Sequence, residues 1–298
     1  MDSITQTDLF QVSAFDPPLR DNRDVMEYPF LSIQKGRRKP IEFTSADGRV
    51  YVQVQGLPEY GLANIWDWDL MIYLAAQLND AIEQGGKPSQ WIEFPPYDAL
   101  RYMGKTVGGR QYKELANTIR RLQSTHIRTS IRTDDTDGFE AGFTWLTAYK
   151  IPKKFAQHEF LKNLDDGEPD GGKPWRVKVP DWIYNAIARR TGILAVHPEY
   201  FKLTGGLERW LYRLARKAVP DKADYSAINF RMDTLHKRSG STRPLRNFAI
   251  DIRKIAEGNK LPEYGLHVHR KGKNELVTFY RDSMKPRRMP RGISNLLE

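Results

Sequence analysis

The residues that most suggest catalytic chemistry are His267-Val268-His269. Side chains alternate along a β-strand, so both imidazoles would lie on one face, where they could bind a divalent metal ion. A nearby tyrosine, Tyr264 or Tyr280, could then act as a nucleophile toward a phosphodiester. A pattern of three residues is weak evidence on its own, so the surrounding sequence has to support this interpretation.

The His-hydrophobic-His spacing resembles the signature of rolling-circle endonucleases, in which the nucleophilic tyrosine lies on a helix downstream of the histidines. In this chain the histidines are followed by one predicted strand and a basic tail, so that helix is missing. We therefore keep a rolling-circle endonuclease as an alternative that the rest of the sequence does not favour.

No other enzyme motif is complete. Gly104-Lys105-Thr106 is similar to the end of a Walker-type loop, but the upstream glycine of such a loop is missing. The sequence contains neither a Gly-x-Ser-x-Gly elbow nor a Gly-x-Gly-x-x-Gly fingerprint. It also contains no cysteine, which excludes disulfides, thiol nucleophiles and thiolate-ligated metals. We expect a protein that is not an enzyme and needs no cofactor or metal ion.

The composition predicts a cationic surface. Lysine and arginine number 47 and acidic residues 37 among 298, which gives a net charge of +10. Such a surface attracts polyanions, most often nucleic acid, although an anionic membrane would feel the same field. The longest near-apolar stretch, residues 70–76, is too short for a membrane span, and the N-terminus lacks a signal-peptide pattern. We expect a cytoplasmic protein that does not associate with membranes.

One order of helices and strands occurs twice along the chain. After a hairpin near Ile41, the first run comprises a helix at 66–83, a strand at 91–94, a short helix at 95–103, a turn at 105–109, a long helix at 110–124 and a hairpin at 127–146. From the first helix onward, this is the order of a winged helix-turn-helix. We assign a further strand at 175–179 and a helix at 181–190 to the same unit.

The same order returns from about residue 193. The second run comprises a helix at 208–218, a strand at 227–230, a short helix at 232–238, a turn at 239–242, a long helix at 243–257 and a hairpin at 265–280. When the long helices are aligned on Arg110 and Arg243, apolar residues match in the pairs Tyr112/Leu245, Leu115/Phe248, Ala116/Ala249, Ile119/Ile252 and Leu122/Ile255, and Arg120 matches Arg253. The simplest explanation of the repeated order is that the chain contains two structural units of the same type. The predicted fold class is α+β, with two tandem winged helix-turn-helix domains.

We predict four segments in the chain. They are a flexible N-terminal arm at 1–39, winged-helix domain 1 at 40–192, winged-helix domain 2 at 193–283 and a basic C-terminal tail at 284–298. The arm is predicted from its proline-containing and basic runs.

The second unit carries most of the predicted DNA contacts. In a helix-turn-helix the second helix buries one face and presents the other to the major groove. On this helix the outward positions are Arg246, Asn247, Ile250, Arg253 and Lys254, and all except Ile250 are predicted contacts. The preceding turn, with Lys237, Arg238, Ser239, Ser241, Thr242 and Arg243, is predicted to bind phosphate. The wing tip, with Arg270, Lys271 and Lys273, is predicted to contact the backbone or minor groove.

The first unit has a weaker set of candidate contacts. They are Lys105, Thr106, Arg110, Gln111, Lys113, Asn117, Arg120 and Arg121. Because Glu114 lies among them, the helix face is mixed in sign, and it could serve a protein interface instead.

Four separated motifs together resemble the plasmid replication initiator protein A family. They are IWDWDLMIY at 65–73, GGRQYKEL at 108–115, LERWLYRLARK at 207–217 and FRMDTLHKRSGS at 230–241. The resemblance covers about residues 40–280, and four motifs in one order make it specific.

The resemblance implies a bacterial initiator that binds double-stranded DNA at its plasmid's origin, commonly at repeated sites. Such a protein helps to open the duplex so that host helicase or initiator proteins and the polymerase machinery can load. The resemblance further implies tandem winged helices, of which the C-terminal one leads in reading DNA and the N-terminal one also serves in forming a homodimer. A winged-helix transcriptional repressor, which needs the same helices and wings, stays open as an alternative.

Overall fold

The computed structural model describes residues 9–13, 16–131, 142–157, 173–189, 192–220 and 227–281. The elements up to residue 144 are β1 (Leu9–Gln11), β2 (Arg20–Asn22), β3 (Ile41–Thr44), β4 (Tyr51–Gln55), α1 (Trp68–Glu83), β5 (Trp91–Phe94), α2 (Pro96–Tyr102), α3 (Gly109–Ser124), β6 (His126–Thr129) and β7 (Gly142–Thr144). The later elements are β8 (Ala148–Lys150), β9 (Trp175–Lys178), α4 (Asp181–Ala188), β10 (Ile193–Ala195), α5 (Gly206–Ala218), β11 (Ala227–Arg231), α6 (Met232–Ser239), α7 (Leu245–Gly258), β12 (Tyr264–Lys271) and β13 (Asn274–Arg281). The chain is therefore mixed α+β, as predicted, and within these ranges none of the helices has the length and apolar character needed to cross a bilayer.

Helix α1 lies at the centre of the first half of the chain. Every residue from Trp68 to Asn79 is buried, so the helix is packed on all sides rather than on one face. Its aromatic rings meet those of neighbouring strands and loops: the centroid of Trp68 lies 4.8 Å from that of Trp145, and Tyr73 lies 5.9 Å from Phe94. The surrounding helices and strands are thus anchored on α1.

The helix pairs α2–α3 and α6–α7 are framed by strands in the same way. The strand before each pair, β5 or β11, pairs antiparallel with β9 or β13. Strand β9 also pairs antiparallel with β8, and β13 with β12. The strand orders β5-β9-β8 and β11-β13-β12 therefore correspond. The predicted order of strand, short helix, turn and long helix is present in both halves of the chain.

The predicted hairpin at 127–146 is not the counterpart of the β12–β13 hairpin. Strands β6 and β7 do pair with each other, but they extend the β3–β4 hairpin into a separate sheet of order β3-β4-β6-β7. The counterpart is formed by β8 and β9. The alternation of apolar and polar residues predicts that a hairpin forms. It does not predict which other strands the hairpin pairs with, because those strands are distant in sequence. The turn at 134–138 in that prediction lies outside the described residues.

The prediction of a flexible arm does not hold for residues 9–11, where β1 pairs parallel with β5, or for the residues from 16 onward. Strand β2 pairs with β10, with Asp21 opposite Leu194, and Val25, Met26 and Phe30 are buried. The buried hydrophobic residues of this segment occur in pairs. They therefore lack the helical or strand periodicity from which burial can be predicted. Residues 1–8 and 14–15 of the predicted arm, and the whole predicted tail at 284–298, lie outside the described residues.

Helix α5 is joined to the first half of the chain by two buried ion pairs. Arg213 Nε lies 2.6 Å from Asp21 Oδ2, and Arg209 Nη1 lies 2.6 Å from Asp69 Oδ1. Trp68 Nε1 also donates to Asp21, at 2.6 Å. Burial raises the pKa of Asp69, and the charge of Arg209 opposes that shift. The two halves of the chain therefore share a polar core around α5.

Candidate nucleic-acid interface

Helix α7 presents a largely polar face on the side away from the core. It buries Phe248, Ala249 and Ile252 on one side. Because successive residues are about 100° apart around a helix, a residue two positions away points in roughly the opposite direction. The exposed residues on that opposite side are Arg246, Asn247, Ile250, Lys254 and Glu257. The structure thus places the predicted contacts Arg246, Asn247 and Lys254 on an accessible helix face.

Arg253 lies at the margin of this face and is engaged within the protein. Its guanidinium donates to both carboxylate oxygens of Glu275 on β13, at 2.9 Å each. A bidentate pair of this kind fixes orientation as well as contributing energy. Arg253 therefore holds the β12–β13 hairpin against α7, a role that differs from the predicted DNA contact.

The tip of the β12–β13 hairpin is cationic and exposed. Lys271 and Asn274 pair across a two-residue turn, and Gly272 takes a left-handed φ of 58°, which glycine adopts without steric cost. Arg270, Lys271 and Lys273 are all exposed. The structure brings these three predicted contacts together at one end of the hairpin.

The turn between α6 and α7 contributes further exposed polar groups. Lys237, Thr242 and Arg243 are exposed, and Ser241 is half-buried. Thr242 Oγ1 donates to Gln34 Oε1 at 3.0 Å, and Arg243 Nε lies 3.2 Å from Asp251 Oδ2. These contacts hold the turn in one conformation.

Two other residues of the predicted turn serve the protein interior. Ser239 is buried, and its hydroxyl donates to the carbonyl of His236 at 2.8 Å. Arg238 forms an ion pair with Glu27 and lies over the ring of Tyr28. Both side chains are thus engaged within the protein, and a phosphate contact by either of them stays a prediction. The local sequence shows a hydroxyl group and a cation just before a helix, which favours a phosphate site. It does not show that the partner of Arg238 lies about 200 residues away in the chain.

Three residues that the sequence did not indicate support this turn, and we call Glu27, Gln34 and Arg37 the N-terminal clamp. Glu27 pairs with Arg238 and Gln34 accepts from Thr242, as described above. Arg37 Nη1 donates to the carbonyl of Gly240 at 2.5 Å. Gly240 has a φ of 63°, and a Cβ there would lie 2.8 Å from the side chain of Pro29, so the close approach requires glycine. No local pattern could have revealed these partners.

Helix α3 of the first unit has a less cationic outer face than α7. Arg110 and Lys113 are exposed, whereas Gln111 and Asn117 are half-buried. Glu114 is also exposed, at the position that aligns with Asn247 of α7. A carboxylate on this face repels phosphate groups.

Arg120 and Arg121 do not lie free on the surface of α3, contrary to prediction. Arg120 is buried and donates to the carbonyl of Phe155 and to Asn117 Oδ1. Arg121 donates to both carboxylate oxygens of Asp67, at 2.9 and 2.6 Å. Burial acts to lower the pKa of Arg121, but the hydrogen bonds and charge of Asp67 outweigh it and raise that pKa. Helical periodicity predicts an exposed position for these residues, because it contains no information about which other segments pack against the helix.

Lys105 and Thr106, in the turn before α3, are both exposed. Lys105 Nζ lies 3.7 Å from Asp69 Oδ2. The ammonium group of Lys105 is therefore exposed to solvent and also partly balances the charge of the buried Asp69 carboxylate.

The two histidines of β12 lie side by side on one face of the strand, as the alternation predicts. The rings of His267 and His269 stack with centroids 5.6 Å apart, and within the described ranges no group of three or more metal-ligating side chains is present. Tyr264 is fully buried, and burial raises its pKa above the usual value. The ring of Tyr280 covers Gly265, where an added Cβ would lie 2.3 Å from it.

The charge of the second unit is strongly positive. Residues 227–281 contain twelve lysines and arginines against five acidic residues. Seven of these cations are exposed and have no ion-pair partner within the described ranges. One, Lys260, follows the C-terminal end of α7, and the other six lie on the α7 face, in the preceding turn and at the hairpin tip: Lys237, Arg246, Lys254, Arg270, Lys271 and Lys273. The α7 face, the preceding turn and the hairpin tip therefore form a cationic surface that suits a polyanion.

Comparison with known proteins gives consistent matches over most of the chain. The model of a family described as Replication initiator protein A matches residues 20–266. A protein of Wigglesworthia glossinidia brevipalpis, whose name marks it as an inferred replication protein, is 27% identical over 257 residues, which cover 85% of this chain and 86% of that protein.

Solved structures match in fold at low sequence identity. A crystal structure of domains 2 and 3 of RctB has a TM-score of 0.59 at 16% identity and covers 85% of this chain and 94% of that chain. A second crystal structure of the same domains has a TM-score of 0.54 at 14% identity, with coverage of 85% and 95%. At these identities the similarity concerns the fold.

Proposed function

Because this chain belongs to the replication initiator protein A family, we propose that it binds double-stranded DNA at a plasmid origin through α7 and the β12–β13 hairpin. The observation that carries the proposal is the accessible face of α7, where Arg246 and Asn247 stand near the helix N-terminus. Further along the same helix, Arg253 binds Glu275 of the hairpin with the exposed cationic tip. Arginine can bind guanine bidentately, and asparagine can bind adenine in the same way.

We propose that the two helix pairs with their framing strands are tandem winged helices, divided near residue 193. The corresponding strand orders β5-β9-β8 and β11-β13-β12 support this assignment, although the first sheet has the additional strand β1 beside β5. In the first unit, Glu114 is exposed on α3, and Arg120 and Arg121 are held by protein groups. We therefore assign the main reading of DNA to the second unit and a dimer contact to the first.

The proposed activity is non-covalent. Contacts with phosphates and bases would supply the energy to bend the duplex and to open a neighbouring A/T-rich segment, where host helicase and polymerase proteins load. The burial of Tyr264 argues against this residue as a nucleophile at the histidine pair.

Binding can be tested by fluorescence anisotropy with overlapping duplexes from the DNA that flanks the gene. The wild-type protein should bind a limited set of them, and the double variant Arg246→Ala/Asn247→Ala should bind these at least 10-fold more weakly. Lys87→Ala, which removes an exposed cation after α1, is the control and should retain wild-type affinity. Equal binding by the double variant and the wild type would refute the assignment of α7.

A plasmid test separates an initiator from a repressor. The gene and its flanking DNA are placed on a plasmid whose own origin does not work in the host. We expect the plasmid to be maintained with the wild-type gene and lost with the Arg246→Ala/Asn247→Ala gene. Loss of the plasmid with the wild-type gene, despite tight binding in vitro, would leave a repressor as the function.

A further inference from the structure

Ile250 occupies the middle of the exposed face of α7. It is 39% exposed and lies on the side opposite to Phe248 and Ile252. Arg246 and Asn247 lie one turn before it and Lys254 one turn after it, so the isoleucine is surrounded by polar and cationic side chains.

Exposure alone does not give Ile250 a role, since single apolar residues on a surface are common. Other large apolar side chains of this chain, such as Leu57 and Tyr97, are also exposed. Two further facts distinguish position 250. A β-branched residue lowers helix propensity, so neither burial nor helix formation favours isoleucine here. At the aligned position of α3 the chain has Asn117, so the repeated architecture does not require an apolar residue.

We infer that Ile250 contacts the C5-methyl group of a thymine in the major groove and thereby selects a T·A pair in the recognised sequence. This inference rests on the proposed function, because it requires α7 to enter the groove. Thymine is distinguished in the major groove by its methyl group, which apolar side chains contact directly. The cationic neighbours favour a duplex as the occupant of this face over an apolar protein surface.

The position of the selected pair follows from helix geometry. One turn of an α-helix advances 5.4 Å, which is about one to two base-pair steps of B-DNA. The thymine should therefore lie within about two base pairs of the bases that Arg246 and Asn247 contact.

The inference can be tested by replacing thymines with deoxyuridine, one at a time, in the duplex that the protein binds most tightly. This change removes only the methyl group and keeps every hydrogen-bonding group of the base pair. For the wild-type protein we expect one position, or one in each repeat, at which affinity falls about fourfold, the effect of losing one buried methyl group. Ile250→Ala should bind the unmodified duplex more weakly and show no difference between thymine and uracil at that position.

Two controls make the result specific. Lys254→Ala should weaken binding to the thymine and uracil duplexes by the same factor, because a phosphate contact does not depend on the methyl group. Ile250→Ala should have an unchanged melting temperature, because the side chain is exposed.

The outcomes separate failure of the inference from failure of the proposed function. If the wild-type protein binds none of the flanking duplexes, the proposed function fails and the inference fails with it. If it binds but no uracil position changes its affinity, only the inference is overturned. The inference is also overturned if Ile250→Ala changes the oligomeric state while its sensitivity to uracil equals that of the wild type, since Ile250 would then contact a second copy of the chain.

Discussion

The surroundings of each arginine decide what it can do in this protein. A guanidinium taken out of water must be compensated by carboxylates or carbonyls, and Arg213 and Arg120 have such partners. Arg246 has no ion-pair partner within the described ranges and remains exposed. Only an arginine of the second kind can exchange water for phosphate or a base edge without breaking contacts of the fold.

Arg120→Ala should therefore affect stability rather than DNA binding. The substitution leaves the carbonyl of Phe155 without its donor and removes the contact with Asn117, so we expect the free energy of unfolding to fall by about 1.5–3 kcal/mol. Urea unfolding followed by circular dichroism would measure this. Arg110→Ala, at an exposed site on the same helix, should change stability by less than about 0.5 kcal/mol. Weaker DNA binding by a fully stable Arg120→Ala protein would contradict this assignment.

His269 should make stability depend on pH. Burial, and then the neighbouring charges of His267 and Lys271, lower its pKa below the usual 6.5. In the window between the lowered pKa and 6.5 the unfolded chain binds more protons than the folded one, so stability falls as the pH drops through this window and is retained above it. His269→Gln should flatten this part of the stability profile, as measured by urea unfolding at a series of pH values. His126→Gln, at an exposed histidine, should leave the slope in place, and an unchanged slope in His269→Gln would refute the prediction.

At the level of elements, the N-terminal clamp positions the reading helix through the turn before it. Glu27 contacts both Arg238 of α6 and Lys217 of α5, and Arg37 binds the carbonyl of Gly240. The entry angle of α7 is thus fixed by residues from the opposite end of the chain. Loosening the clamp should broaden the orientations of α7 and raise the cost of docking it into a groove.

Glu27→Gln tests this role with two effects of opposite sign. Removing a negative charge near a DNA-binding surface strengthens binding by simple electrostatics, whereas releasing Arg238 and Lys217 weakens it by disordering the turn. We expect the second effect to dominate, with a several-fold loss of affinity for the specific duplex in anisotropy measurements. Glu42→Gln makes the same charge change at an exposed site on β3 and should not weaken binding. Tighter binding by Glu27→Gln would show that the clamp does not position α7.

The elements also show which parts of the fold are readable from sequence. Helical spacing and glycine or proline boundaries predicted α1, α3 and α7 to within about two residues at each end, because those signals are local. The pairing partners of each strand are not predictable from local sequence. The sequence therefore predicts β6–β7 as the hairpin of the first unit, whereas β8 and β9 occupy that place in the structure. The same holds for the site: the outward positions of Arg246 and Asn247 followed from periodicity, whereas the partners of Arg238, Ser239 and Arg120 depend on packing.

At the scale of the whole molecule, the ion pairs of α5 should make the two units unfold together. All seven tryptophans lie between residues 66 and 210, so tryptophan fluorescence reports on the first unit and α5. Hydrogen exchange of peptides from β12 and β13 reports on the second unit. The free energies of unfolding from the two probes should agree in the wild-type protein.

Asp21→Asn leaves Arg213 buried without a counter-charge. We expect it to lower both free energies of unfolding by about 3–5 kcal/mol. Glu83→Gln, at an exposed acid on α1, should change neither. If the second unit kept its protection while the first unit lost stability, the units would be independent.

The salt dependence of DNA binding tests the cationic surface as a whole. Each cation that neutralises a phosphate releases a counterion. The six exposed, unpaired cations of the α7 face, the preceding turn and the hairpin tip predict a slope of about −5 in a plot of log affinity against log salt concentration. Replacing Arg270, Lys271 and Lys273 by alanine removes half of these charges while leaving α7 intact, so the magnitude of the slope should fall by about 3. Lys87→Ala should leave it at the wild-type value. A slope that stays near −5 in the triple variant would mean that the hairpin tip does not contact the backbone, and that cations elsewhere in the chain carry the electrostatic part of binding.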